Sequence, residues 1–189
     1  ETLQEDMRQL LNGKFELNML TITKSLRGFY ANPEQIAHKV LADRMGERDP
    51  GNKPQSNDRI PYVYVETKIP KDGKILQGDR VEHPQYIIEN KLKPDYSFYI
   101  TNQILKPVGQ IYSLIVETLP GFNKSQDYYK GRYKYFYNKY NQDEKKTIDK
   151  VNSEKMDDVS KIIFGETLRK ATNARTKTRE ITDFFKIKK

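Results

Sequence analysis

Cysteine and tryptophan are absent from this 189-residue chain, and histidine occurs twice. The missing thiols exclude disulfide bonds and cysteine-rich metal modules. They also fit a reducing compartment, so cytoplasm or nucleus is the expected location. His38 and His83 lie far apart in sequence, with neither cysteine nor clustered carboxylates beside them, so no metal site is expected. No apolar run approaches the about 20 residues of a membrane span, and there is no signal-peptide pattern. No membrane partner is expected.

What is present is charge and tyrosine. Hydrophobic residues make up 35% of the chain and charged ones 32%, a balance that predicts a soluble, highly solvated object with one core, or a small base and a helical tip. The charge is unevenly spread. Residues 121–189 carry 18 Lys and Arg against 10 Asp and Glu, whereas residues 1–120 carry 16 of each, so the whole excess of +8 lies in the C-terminal third. That third should face a polyanion or trail beside one as a basic arm.

Apolar spacing at Leu3, Met7, Leu10 and Leu11 predicts an opening helix ended by Asn12-Gly13. Residues 15–26 alternate enough to predict a strand. Pro33 starts a helix whose apolar face is Ile36, Val40, Leu41 and Met45. Residues 59–68 read as a second strand with Pro61 near its start or on an edge. A turn at 71–74 leads to a third strand over 75–81. From Pro84 the period turns helical, interrupted by Pro94 and Pro107. Val159, Ile162, Ile163 and Leu168 predict a last helix opened by Asp157-Asp158, and residues 171–180 a polar tether. The fold class is α+β, mostly helical with a small β-strand base.

Arg44 and Arg48 lead into a turn-rich run, Asp49-Pro50-Gly51-Asn52-Lys53-Pro54, and Arg59 follows at the start of a strand. Arginines spaced along such a segment can present rigid cationic forks to phosphates, and solvated arginines or pairing with Asp43, Asp49 or Asp58 is the plainer alternative. Thr23, Lys24, Ser25 and Arg27 add hydroxyls and cations suited to phosphate oxygens, while Gly51 and Asn52 allow close backbone approach.

Four elements occur in one order: I-T-K-x-L at 22–26, R-D-P-G-N-x-P at 48–54, D-R-I-P-Y at 58–62, and D-x-x-x-Y-x-x-x-Q-I-x-x-P at 95–107. Together they resemble the thumb region of family B DNA polymerases, most similarly those of large nucleocytoplasmic DNA viruses, over roughly residues 8–116. The resemblance implies a thumb base at 1–84, a helical tip at 85–170 and a tail at 171–189. It also implies a C-terminal piece of a replicative polymerase that grips primer-template DNA beside the rest of the enzyme, at viral replication sites in host cytoplasm or nucleus. The Y-x-D-T-D-S palm motif does not occur, so no catalytic residue and no cofactor is expected here, and magnesium belongs to a palm outside this sequence. The contacts it implies with DNA fall on Thr23, Lys24, Ser25, Arg27, Arg44, Arg48, Gly51, Asn52 and Arg59. A stand-alone basic DNA-binding or processivity module is the alternative; it accounts for the charge but leaves the ordered motifs unexplained. A small metal-dependent nuclease fails for want of a convergent carboxylate or histidine cluster.

Two segments lie beyond the resemblance. Residues 128–140 interleave Tyr, Phe, Lys and Arg without one aliphatic residue and read as an insertion. Rings in that setting either pack a helical tip, the favoured role, or stack bases while lysines neutralise phosphates. Near the C-terminus, Ile181, Phe184 and Phe185 follow the aliphatic-x-x-aromatic-aromatic spacing of a sliding-clamp binding box, with Thr178 in place of the usual glutamine. A clamp partner is expected there.

Overall fold

The computed structural model describes residues 2–67 and 75–176. The expected turn at 71–74 and the clamp-box residues Ile181, Phe184 and Phe185 lie outside them. The described residues form two compact units, one within residues 12–99 and one of residues 2–11 with 100–176.

The first unit is built on a three-stranded antiparallel sheet in the order β1-β2-β3, with β1 at Ile22–Ser25, β2 at Arg59–Tyr64 and β3 at Val81–Glu82. Ile22 pairs with Tyr62 and Ser25 with Arg59; Val63 pairs with Glu82. Pro61 stands in the central strand, opposite Thr23. It is tolerated because β3 reaches only Val63 and Tyr64, so no second neighbour asks for the N–H that proline lacks. The expected strand over 15–26 is shorter: Leu17–Leu20 is a helical turn, α2, that buries Leu20 before β1 begins. The expected third strand over 75–81 is instead a 3-10 turn at Gln77–Arg80 followed by two strand residues. Helix α3, Ala37–Arg48, turns Ala37, Leu41, Ala42 and Gly46 inward, while Val40 packs on Gly78. A Cβ at Gly78 would lie 2.5–2.8 Å from three side-chain carbons of Val40, so only glycine allows this approach.

Helices α4 (Pro84–Glu89) and α5 (Tyr96–Phe98) close the first unit. Asp95 caps α5, accepting from the Phe98 N–H at 2.9 Å, and its other carboxylate oxygen accepts from Arg80 at 2.9 Å. The Tyr99 hydroxyl donates to the Leu20 carbonyl at 2.7 Å and accepts from the Tyr64 N–H at 3.0 Å. Burial pushes its pKa up to about 12, so it stays a neutral donor. These bonds tie Asp95 and Tyr99, which stand outside the strands, to the sheet unit.

The second unit is helical. Its helices are α1 (Thr2–Leu11), α6 (Leu105–Ser113), α7 (Tyr128–Lys139), α8 (Glu144–Val159) and α9 (Gly165–Thr176). Pro107 lies inside α6, just after π-helical turns at Tyr99–Ile104, where the widened backbone accepts a residue without an N–H. α1 buries Met7 and Leu10, and Gln4 reaches the Ile163 carbonyl at 3.4 Å. Asp157 and Asp158 do not open the last helix; they end α8, which continues through π-helical turns at Ser160–Phe164 into α9. Residues 171–176, expected as part of a tether, continue α9.

The aliphatic-free block is α7, and its rings pack. Tyr129 and Phe136 are buried. The Tyr129 hydroxyl donates to Asp158 at 2.5 Å, Lys124 pairs with the same carboxylate, and Arg132 binds Glu154 through two hydrogen bonds of 2.8 and 2.5 Å. Burial, then the Asp158 carboxylate, raises the Tyr129 pKa far above its ordinary value, so the hydroxyl remains a donor.

Candidate nucleic-acid interface

The antiparallel register of β1 and β2 brings the I-T-K-x-L and D-R-I-P-Y elements together. Ser25 lies opposite Arg59 and Lys24 opposite Ile60. The pairing continues past the strand ends, because the Leu26 N–H donates to the Asp58 carbonyl at 2.8 Å and the Asn57 N–H to the Leu26 carbonyl at 2.7 Å. Lys24, Ser25, Arg27 and Arg59 are exposed at this end of the sheet, and Thr23 is half-buried. The result is three cations and a hydroxyl on a backbone fixed by β hydrogen bonds, which is suited to phosphate oxygens.

A short polar chain supports the site. The Arg27 N–H donates to the Tyr30 hydroxyl at 2.7 Å, and that hydroxyl meets His38 Nε2 at 2.9 Å. Burial, and then the nearby Lys24 and Arg27 charges, hold the His38 pKa below its ordinary value. Phe29 projects beside these groups and is 83% exposed. Sequence reading missed Phe29, Tyr30 and His38 as parts of this surface. Only the R-G-F-Y run after the strand could have drawn attention to them.

Arg44 and Arg48 lie elsewhere. Both converge on buried Glu82 at β3: Arg48 binds it through two hydrogen bonds of 3.0 and 2.9 Å, and Arg44 Nε sits 3.3 Å from Oε1 without hydrogen-bond geometry. Arg44 also donates to the carbonyls of Val81 at 2.5 Å and Gly78 at 3.2 Å. The Arg48 guanidinium lies 3.6 Å from the Tyr86 ring centroid. Hydrogen bonding to Glu82 raises the Arg48 pKa above its ordinary value. The carboxylate beside Arg44 is therefore Glu82, rather than Asp43, Asp49 or Asp58; Asp43 pairs with Lys39. Nothing in the sequence spacing marks a partner 34 residues away. Gly51 and Asn52 are exposed in a 3-10 turn at Pro50–Asn52, where Asn52 donates to Asp49 at 2.6 Å.

Among the described residues no three or more His, Asp or Glu side chains form a group that could hold a metal ion. His83 instead caps α4, its Nδ1 accepting from the Gln85 N–H at 3.2 Å. No described helix is long and apolar enough to cross a membrane.

Residues 1–115 match the family described as DNA polymerase family B. The chain belongs to DNA polymerase family B. It is 47% identical over 185 residues to a DNA polymerase of Pyramimonas orientalis virus, covering 98% of this chain and 15% of that protein. A DNA polymerase of Acanthamoeba polyphaga mimivirus is 52% identical over 112 residues, 58% of this chain and 6% of its own length. The DNA polymerase delta catalytic subunit of Candida albicans is 34% identical over 110 residues, covering 58% of this chain and 10% of that protein. The family B chain described here thus spans a small part of these relatives. The Pyramimonas orientalis virus match leaves so few residues uncovered that it runs through α7, so the block that reads as an insertion is shared with that relative.

Proposed function

We propose that this family B chain is the thumb portion of a replicative DNA-directed DNA polymerase and grips primer-template duplex through its phosphate backbone. The observation that carries the reading is the exposed end of the β1–β2 pair, where Lys24, Ser25, Arg27 and Arg59 gather. Exposed cations on a fixed backbone exchange condensed counterions for phosphates without reading base sequence. Thr23, Gly51 and Asn52 add hydroxyl and backbone contacts. Arg44 and Arg48, committed to Glu82, hold α3 to β3 and so keep the fold that carries this surface. Nucleotidyl transfer, with its carboxylates and magnesium, is assigned to a palm outside this sequence, and the enzyme works at viral replication sites in host cytoplasm or nucleus.

Duplex binding by the 189-residue chain tests this reading. Affinity should be independent of base sequence, and log K against log salt should fall with a slope of about −4 for about four phosphate contacts. Lys24→Ala, Arg27→Ala and Arg59→Ala should each flatten that slope by about one unit. His38 offers a local probe: phosphate beside Lys24 and Arg27 should raise its depressed pKa, which imidazole NMR signals would report. A slope unchanged in all three variants would remove this surface from the interface.

The tail extends the proposal to a sliding clamp. Ile181, Phe184 and Phe185 would fill an apolar pocket, with modest affinity because ordering is paid at binding and Thr178 forfeits the polar anchor of glutamine. Replacing both phenylalanines with alanine should abolish clamp binding in a pull-down or calorimetric titration. Retained clamp binding with a lowered melting temperature would assign the rings to the fold instead.

A further inference from the structure

The helical unit carries a groove that the duplex interface does not use. It has a volume of about 480 Å³, within the range of small-molecule and cofactor sites. Its lining includes buried Tyr129 and Val151 together with Tyr133, and Lys130, Lys134 and Lys155 reach it from both α7 and α8. The Tyr133 ring lies nearly parallel to Tyr137, at 13° with centroids 5.9 Å apart, so a flat aromatic face is already fixed by a neighbour. Lys155 Nζ lies 5.0 Å from the Tyr129 ring centroid.

The chemistry narrows the ligand. An apolar aromatic wall alone would suit any hydrophobic body, but three lysines around it select one that also bears repeated negative charge. Three carboxylates act nearby: Glu117 lines the groove, Asp127 pairs with Lys130 at 2.7 Å, and the Glu144 charge reaches Tyr133. Among the described residues no carboxylate lies within ion-pair distance of Lys134 or Lys155, so these two charges are what the groove offers an anion. A run of Asp and Glu offers charge without a flat ring between its anions, and duplex DNA offers phosphates with its base faces hidden. We propose that this groove binds an unpaired nucleic-acid strand, stacking a base on Tyr133 while Lys134 and Lys155 take the flanking phosphates. Such binding tolerates any sequence, because every base has a π-face.

Fluorescence anisotropy with the 189-residue chain tests the proposal, using a short labelled oligothymidylate and an abasic oligomer of equal length and charge. The oligothymidylate should bind about fivefold or more tighter, since stacking is the difference between the two probes. Tyr133→Ala should weaken oligothymidylate binding about tenfold and leave abasic binding unchanged, while Tyr133→Phe restores it. Lys134→Ala, at an exposed position that the fold does not need, should weaken both probes and flatten the salt dependence by about one unit. Duplex binding should remain normal in the Tyr133 variants and fall in Lys24→Ala, which separates this site from the duplex interface. Equal binding of the two probes would overturn the proposal. So would an unaffected Tyr133→Ala protein with an unchanged melting curve, or displacement of the oligomer by an acidic peptide at equal charge concentration.

Discussion

The sheet unit is held by aliphatic burial and long-range clamps: Leu41, Ile60, Val63 and Val81 fill its centre, while Arg44 and Arg48 bind Glu82 and Arg80 binds Asp95. At the α7–α8 contact of the helical unit, α7 has no aliphatic residue to contribute. Tyr129 and Phe136 supply the apolar area instead, against Val151 and fully buried Thr147, and the partly buried pairs Lys124–Asp158 and Arg132–Glu154 flank them. Aromatic rings can fill a core and keep a polar handle, so this helix packs without sacrificing its cationic surface. The sheet unit separates these tasks. Its clamping arginines are engaged with carboxylates, and different residues, Lys24, Arg27 and Arg59, face outward.

The largest test of this contrast is Phe136→Ala. With no aliphatic neighbour on α7 to close the cavity, it should cost about 3–4 kcal/mol, seen as lost hydrogen-exchange protection in α7 and α8. A loss below about 1 kcal/mol would mean that the tyrosines, not the buried ring, hold the contact. Glu82→Ala comes next. It leaves two partly buried guanidinium groups without their carboxylate and should cost about 3 kcal/mol by denaturant unfolding, while Lys24→Ala leaves stability unchanged. Tyr129→Phe removes one hydrogen bond to a carboxylate that keeps Lys124, so about 1–2 kcal/mol is expected from the melting curve.

The smallest effect, and the one that best separates the units, is their response to acid. Burial, joined for His38 by Lys24 and Arg27, lowers the pKa values of His38 and His83. Their neutral forms therefore favour the fold. That contribution is present above the unfolded value of about 6.5 and is lost as pH falls toward the depressed folded values. In the helical unit, hydrogen bonds from Arg132 lower the Glu154 pKa. Burial acts to raise the Asp158 pKa, but Lys124 and Tyr129 outweigh it and bring it down. Stability from these carboxylates is present above the unfolded range of about 4 and is lost as pH falls through their lower folded values. Hydrogen exchange across an acid titration should thus show the sheet unit weakening first and the α7–α8 contact only below about pH 4. Asp158→Asn should flatten the second phase; simultaneous loss in both regions would break the distinction.

The motif residues show how far reading in one dimension reached. Helix α1, the body of α3 and the β1–β2 elements follow from apolar spacing, a local signal, but Pro33 opens only a 3-10 turn at Pro33–Gln35 and α3 begins at Ala37. The strand expected over 75–81 is mostly a 3-10 turn because a turn ahead of a segment does not ensure it a strand partner: β2 offers β3 only Val63 and Tyr64. Asp157-Asp158 resembled a helix start because acidic pairs favour N-termini, yet Asp158 is placed by Lys124 and Tyr129, distant in sequence. In the candidate interface, Lys24, Ser25, Arg27 and Arg59 could be named from residue type and order. Their convergence depended on the register that sets Ser25 opposite Arg59.

The sequence by itself determined the family, the α+β class and the concentration of positive charge after residue 120, because motifs, hydrophobic period and composition are properties of order along the chain. Only the tertiary structure decided which cations are committed and which are free to meet a ligand. Arg44 and Arg48 look as available as Arg27 and Arg59 in the sequence, but folding brings buried Glu82 to them across more than thirty residues. The physical reason is desolvation: a carboxylate taken out of water must find cations, and whichever arginines the fold places beside it are held there, while those left at the strand ends keep their charge for a partner.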